Sequence, residues 1–290
     1  MLLTLLTLLT LLSSSHASSI PAHLSSKTIY EAVRGDINTV QPPLPTCQPQ
    51  QLYFLLRHGS RNFGTATTDR IELFLDELRN NVTKGKVVLP PSLEWFKTWE
   101  QGVYYKNYDL VREGMLEHYN IGMRFKLKFP SLFPEYFINN YSLQATYKQR
   151  AIQSALSFMQ GILQDTGPLK QGSDRLNLST VGYLPPGIVI KSKSEDKLLR
   201  FMDNCPRYTA YIDSLKWKEE MYLFEESEVY LSAMSALSDA ANMTLSIHTA
   251  KALYYLCAIE LMSPSQANYS KVTLWAELSL FDFCRTAVGL

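Results

Sequence analysis

The segment Arg57-His58-Gly59-Ser60-Arg61 places two guanidinium groups and an imidazole within five residues. Guanidinium forks match phosphate oxygens bidentately, so a phosphoryl group is the ligand these residue types suit. A neutral imidazole is a nucleophile, and its attack on phosphorus gives a phosphohistidine. Nearby arginine charge disfavours the imidazolium, which would keep His58 neutral even in mildly acidic surroundings. Phosphoryl transfer needs mainly positioning and charge stabilisation, which such a cluster supplies without a metal. A leaving alkoxide also needs a proton, so a complete site includes a general acid. Taken alone, the pentapeptide reads equally well as two solvated loop charges beside a histidine that ends a strand.

The elements that would position these groups follow from periodicity. Gln51 to Arg57 is a short, nearly continuous apolar run broken by Gly59, the pattern of a central strand buried on both faces. Ligands bind at such strand ends in α/β sheets. Ile71, Phe74, Leu75 and Leu78 recur at helical spacing, and Leu110 to Phe129 reads as a second helix closed by Pro130. Ser142 to Thr146 alternates as a further strand, and Ile152, Ala155, Leu156, Met159 and Leu163 mark an amphipathic helix starting just after Arg150. From about residue 195 the pattern is mainly helical, with Leu245, Ala252, Leu256 and Ile259 on one side of a helix over Leu245 to Met262. Strand–helix alternation followed by helices predicts an α/β core carrying a mostly α-helical second lobe.

The chain has 290 residues, 46% apolar, and a formal net charge of +1, so nothing in its charge points to nucleic acid. Leu2 to Leu12 is a Leu/Thr run ending at a small-x-small triplet, Ser15-His16-Ala17, the pattern of a signal peptide over residues 1–17. That run falls short of the ~20 apolar residues a membrane span needs. Five N-x-Ser/Thr sequons, at Asn81, Asn140, Asn177, Asn242 and Asn268, fit a secretory route to the cell exterior, the cell surface or the ER lumen. The four cysteines, Cys47, Cys205, Cys257 and Cys284, form no Cys-x-x-Cys pair; this argues against zinc, and the oxidising route favours disulfides of undetermined pairing.

In this order the motifs resemble the acid-phosphatase branch of the histidine phosphatase superfamily. Residues 57–61 match its Arg-His-Gly-x-Arg-x-Pro signature, with Phe63 where proline is usual, a departure expected to loosen the loop. Asp109 to Gly114 and on through Phe129-Pro130 resembles the family's glycine-bearing helix. Thr146-Tyr147-Lys148-Gln149-Arg150, followed by Ser154-Ala155 and Phe158 to Gly161, resembles its second phosphate-binding segment. Asp196 to Cys205 is similar to a stretch of the inositol polyphosphate phosphatases.

The resemblance implies a three-layer α/β/α core, incomplete at the C-terminus, over residues 47–190, after an irregular segment at 18–46. A mostly helical lobe over 191–271 and a divergent tail over 272–290 would follow. It implies His58 as nucleophile and Arg57, Arg61 and Arg150 as ligands of the scissile phosphate. Lys148 is a further candidate, for a peripheral phosphate. Neither metal nor cofactor is implied. The implied substrates are inositol polyphosphates such as phytate, together with 2,3-bisphosphoglycerate.

Family members donate the leaving-group proton from a His-Asp or His-Ala-Glu motif. None of the five histidines, His16, His23, His58, His118 and His248, begins either. Loss of a general acid slows turnover by about 10²–10⁴-fold, less for activated esters. An incomplete sheet would also expose an apolar edge. The expectations are therefore an impaired phosphomonoesterase, an inactive polyanion-binding protein, or a non-functional short form. A splice variant, a truncated gene model and a short paralogue would each account for the tail. His118 and His248 read as ordinary helix histidines, and Glu219-Glu220 and Glu225-Glu226 as solvated helix faces.

Overall fold

A computed structural model describes residues 28, 30–34, 46–99, 108–133, 138–163 and 186–262. The expected leader, the divergent tail, most of the 18–46 segment and the sequons at Asn177 and Asn268 lie outside these residues. The elements are α1 (Tyr30–Arg34), α2 (Thr65–Thr83), α3 (Arg112–Lys128), β1 (Leu143–Thr146), α4 (Gln149–Leu163), β2 (Ile188–Lys191), α5 (Phe201–Asn204), α6 (Pro206–Asp213), α7 (Lys216–Glu225), α8 (Glu228–Ala241) and α9 (Ile247–Met262), with short 3₁₀ turns between some of them. Helices accompany a two-stranded parallel sheet, an α/β arrangement. The chain divides into two compact units that interleave in sequence. One comprises Met1–Val33, Phe63–Asn107 and Lys218–Leu290, the other Arg34–Asn62 and Tyr108–Trp217. These divisions run across the consecutive blocks 47–190 and 191–271.

The second unit is built on α3 and α4. Glu113 in the first turn of α3 and Lys126 and Lys128 in its last complement the helix dipole, and Pro130 prevents its continuation. α3 buries Gly114, Glu117, His118, Ile121 and Gly122, a stripe at three- and four-residue spacing. It lies directly against α4, which buries Phe158, Met159, Gly161 and Ile162. Backbone meets backbone at this crossing. A Cβ on Gly122 would stand 2.2 Å from the Phe158 carbonyl oxygen, and one on Gly161 2.0 Å from that of Tyr119. β1 pairs with β2 in register Leu143↔Ile188 to Thr146↔Lys191, and the chain passes from the end of β1 into α4 through only Tyr147 and Lys148.

Among the described residues, the central strand expected over Gln51 to Arg57 does not form: the segment has no regular secondary structure and belongs to no ladder. Its inner face is covered: Phe54 packs edge-on against Phe125 and Phe158, with ring centroids 4.7 and 4.9 Å apart. Its outer face leaves Tyr53 85% and Leu55 86% exposed. An apolar run becomes a buried strand only when neighbours cover both of its faces, and the described chain supplies helices on one side alone.

In the first unit, α2 packs on α9 around Ile71, Phe74, Leu75, Leu78, Leu253 and Leu256. Leu245, Ala252, Leu256 and Ile259 are all buried as expected, but so are Ala250, Leu253 and Ala258, so α9 is enclosed on more than one side. Ser227 caps α8 by accepting the Tyr230 N–H, and Asn242 ends it in the left-handed conformation at φ 52°. Phe63 is buried against Tyr255, with centroids 5.2 Å apart, so an aromatic anchor stands where a loosened loop was expected. Glu225 pairs with Lys251 and is not simply solvated. Asn140 and Asn242 are exposed and Asn81 half-exposed. Cys47 and Cys205 are free thiols. No described helix is long and apolar enough to cross a membrane.

Candidate active site

Residues 57–62 continue from this segment and are tied to both helices. Ser60 donates its N–H and its hydroxyl to the two carboxylate oxygens of Glu117 on α3, at 2.7 and 2.9 Å. The His118 Nε2 lies 3.0 Å from the Arg57 carbonyl, so that nitrogen carries the proton and donates. On α4, Ser154 Oγ accepts the Gly59 N–H at 3.1 Å and donates to the Arg150 carbonyl at 2.7 Å. Ser154 thereby joins the Gly59 loop to the first turn of α4. Backbone bonds from Asn62 N to Asp109 O (2.9 Å) and from Val111 N to Ser60 O (3.1 Å) close the loop against the entry to α3.

This seating depends on two glycines. A Cβ on Gly59 would stand 2.2 Å from the Gly114 carbonyl oxygen, and one on Gly114 2.1 Å from that of Ser60. Real Cβ atoms do not approach backbone this closely, so both positions require a bare Cα for the loop to lie on the start of α3.

His58 Nδ1 lies 2.8 Å from the Gly59 carbonyl oxygen. A carbonyl only accepts, so Nδ1 holds the proton and Nε2 keeps its lone pair. Burial, then the charges of Arg150, Arg57 and Arg61, lower the His58 pKa to about 4 against the opposing Gly59 hydrogen bond. The imidazole is therefore neutral, with a nucleophilic nitrogen available near pH 5.

The arginines converge on this ring. Arg61 and Arg150 both lie over the Tyr108 ring, their Cζ atoms 5.2 and 5.7 Å from its centroid. Burial and then mutual repulsion hold Arg61 below its ordinary pKa, with Arg150 the strongest neighbouring charge. Arg61 donates from Nη1 to the Asn62 carbonyl at 2.6 Å. The Nε atoms of Arg61 and Arg150 are buried and have no hydrogen-bond partner among the described residues. Arg150 sits in the first turn of α4, where unpaired helix N–H groups also favour an anion. Guanidinium groups gathered in this way, with donors to spare, are chemically suited to an oxyanion.

The family model described as the histidine phosphatase superfamily (branch 2) matches residues 50–279. The chain belongs to that superfamily. The match extends past Lys271, where the motif resemblance fades. The chain is 24% identical over 272 residues to the human protein named multiple inositol polyphosphate phosphatase 1, covering 84% of this chain and 52% of that one. It is 32% identical over 181 residues to the Dictyostelium discoideum protein of the same name, covering 61% of this chain and 26% of that one. The solved phytase of D. castellii aligns with a TM-score of 0.45 at 17% identity, over 79% of this chain and 48% of that one. The chain thus spans about half the length of the human relative, and less of the Dictyostelium one.

Within this histidine phosphatase chain, His58, Arg57, Arg61 and Arg150 come together. Lys148 stands at the β1–α4 turn, its Nζ 4.5 Å from the Tyr147 centroid. His248 is exposed on α9. His118 is 4% exposed and Glu117 5%, and both hold the loop. Three contributors escaped sequence reading: Glu117, the positioning role of His118, and Tyr108. Tyr108 adopts a left-handed backbone at φ 69°, uncommon for a bulky residue and a mark of local constraint at a site. Glu117 and His118 carried a findable signal, since they fall on the same stripe as Gly114, Ile121 and Gly122, where polar residues are unusual.

Proposed function

We propose that this chain binds phosphate monoesters at the Arg57–His58–Arg61–Arg150 cluster and transfers their phosphoryl group to His58. The observation that carries the reading is the Nδ1–H bond from His58 to Gly59, which leaves Nε2 free beside three guanidinium groups. In the first step Nε2 attacks phosphorus, the ester P–O bond breaks, and the arginines stabilise the equatorial oxygens. The leaving alkoxide takes its proton from water, leaving hydroxide, because no carboxylic acid is assigned to donate it. In the second step water attacks the phosphohistidine, returning the electron pair to Nε2 and releasing inorganic phosphate.

The substrates proposed are inositol polyphosphates such as phytate, with 2,3-bisphosphoglycerate as a second class; the names of the human and Dictyostelium relatives support the first. Because no histidine begins a His-Asp or His-Ala-Glu motif, turnover of unactivated esters is proposed to be slow. A second reading, binding of polyanions without turnover, rests on the same cluster. The leader-like N-terminus and the sequons support a secretory-pathway location.

The test is phosphate release from phytate and p-nitrophenyl phosphate near pH 5, with His58→Ala as control. Release that disappears in the variant supports a phosphohistidine. If the folded chain releases phosphate from neither ester yet still binds phosphate, the transfer step is wrong and binding remains.

A further inference from the structure

Tyr108 is held in a conformation that its own side chain disfavours. Its φ of 69° lies in the left-handed region, where the Cβ of an L-residue crowds the following carbonyl oxygen. Among the described residues, only Leu215 at 56° and Asn242 at 52° share that region without being glycine. Asn242 ends α8, and asparagine tolerates this conformation by bonding to nearby backbone. Tyrosine has no such local bond to make. Core packing does not explain it either, because Tyr108 is 46% exposed and belongs to neither buried apolar cluster.

The surrounding backbone imposes the constraint. Asn62 N bonds to Asp109 O at 2.9 Å, Val111 N bonds to Ser60 O at 3.1 Å, and Arg61 bridges Leu110 in the antiparallel sense. These bonds fasten residues 109–111 to the loop that carries His58 and Arg61. Tyr108 is the next residue beyond them. From there its ring meets two guanidinium groups, with Arg61 Cζ 5.2 Å and Arg150 Cζ 5.7 Å from its centroid. One ring thus joins the loop to the first turn of α4.

The two arginines have a reason to move apart. Burial, then the charges of Arg150 and Arg57, lower Arg61 from its ordinary pKa, so the guanidinium groups repel one another as they stand. Attraction of each cation to the ring acts against that repulsion. The ring is also rigid, so it fixes a spacing that flexible side chains would not keep.

We propose that Tyr108 is a positioning residue whose ring sets the separation of Arg61 and Arg150 before phosphate arrives. The strained backbone is tolerated because it puts the ring there. This rests on the phosphate-binding reading of the arginine cluster and adds how the cluster keeps its shape.

The experiment separates the ring from the strain. Phosphate affinity is read by calorimetric titration of the full chain with inorganic phosphate, and stability by the urea midpoint. Tyr108→Leu removes the ring and keeps the strain, whereas Tyr108→Gly removes both. Each should weaken phosphate about tenfold, the loss of two modest cation–ring contacts. The glycine variant should nevertheless unfold at the higher urea concentration of the two. Tyr108→Phe, which keeps the ring, should bind within about twofold of the parent. Leu215→Gly relieves the same kind of strain at a residue 48% exposed and outside the cluster, and it should leave phosphate affinity as it was.

If Tyr108→Gly binds as the parent does, the ring positions nothing and the proposal is wrong. Loss of affinity with Tyr108→Phe as large as with Tyr108→Leu would assign the effect to the hydroxyl and also overturn it. Equal weakening by Leu215→Gly would show that affinity follows general changes in the chain, with the same consequence. A parent chain that binds no phosphate removes the pocket itself, a failure distinct from all of these.

Discussion

Residues 51–56 and 57–62 are consecutive, yet they are held in different ways. The first run packs Phe54 onto Phe125 and Phe158 and leaves Tyr53 and Leu55 85% and 86% exposed, with no ladder partner among the described residues. The second is fixed by directed bonds from Glu117, His118 and Ser154 and by the contact between Gly59 and Gly114. The candidate site therefore takes its geometry from two helices rather than from a sheet. Half-made apolar contacts are forgiving, because a side chain slides without crossing a barrier. A loop with its donors matched to one carboxylate has a single seating, which the proposed nucleophile and its three arginines require.

Glu117 offers the most severe way to break this contrast. Its carboxylate accepts both donors of Ser60 from a position 5% exposed to solvent. Glu117→Ala should lower stability by about 2 kcal/mol, because it strands donors that were bonded to a charge. It should also weaken inorganic phosphate binding more than tenfold by releasing the loop, while Glu117→Gln, which keeps one acceptor, recovers part of both. Urea denaturation and phosphate titration measure the two effects. If Glu117→Ala bound phosphate as the parent does, the loop would be held by something other than α3.

How much of this was legible depended on which part of the chain set each feature. The helices at 65–83, 112–128 and 149–163 were legible because their buried faces recur every three or four residues, a signal that each helix carries by itself. The grouping of Arg57, His58, Arg61 and Arg150 was legible only through motif order. Residues 61 and 150 meet across Tyr108, and that ring's position follows from a φ of 69° that no local pattern announces. Gln51 to Arg57 was misread for the converse reason. Its apolar run encodes a preference for being covered on both faces, while the cover has to come from elsewhere in the chain.

The pH dependence of stability sharpens the comparison, because only the bonded run contains a histidine, the side chain whose ordinary charge change falls near neutral pH. His58 has a folded pKa of about 4 against an ordinary 6.5. Between those values the unfolded chain binds more protons than the folded one, so stability rises with pH across the window and is lost as pH falls through it. Urea midpoints measured from pH 7 to pH 4 should therefore decline more steeply for the parent than for His58→Gln. Parallel declines would mean that His58 is solvated rather than enclosed by the arginines, and the nucleophile assignment would lose its electrostatic basis.

The smallest expected effect lies in the apolar run. Leu55 is 86% exposed, so Leu55→Gln removes almost no buried surface, and stability should change by no more than about 0.5 kcal/mol. Phe54→Ala, on the covered face, should cost about 3 kcal/mol, because it strips an aromatic ring from between Phe125 and Phe158. The ratio of the two losses is the informative quantity. A loss of 2 kcal/mol or more with Leu55→Gln would show that the outer face is covered in solution, since large losses on this scale come from buried positions. The run would then be the central strand its composition describes, and the site would draw on a sheet as well as on α3 and α4. A negligible loss, together with less self-association by light scattering, would instead identify Tyr53 and Leu55 as an exposed apolar edge that the substitution makes more soluble.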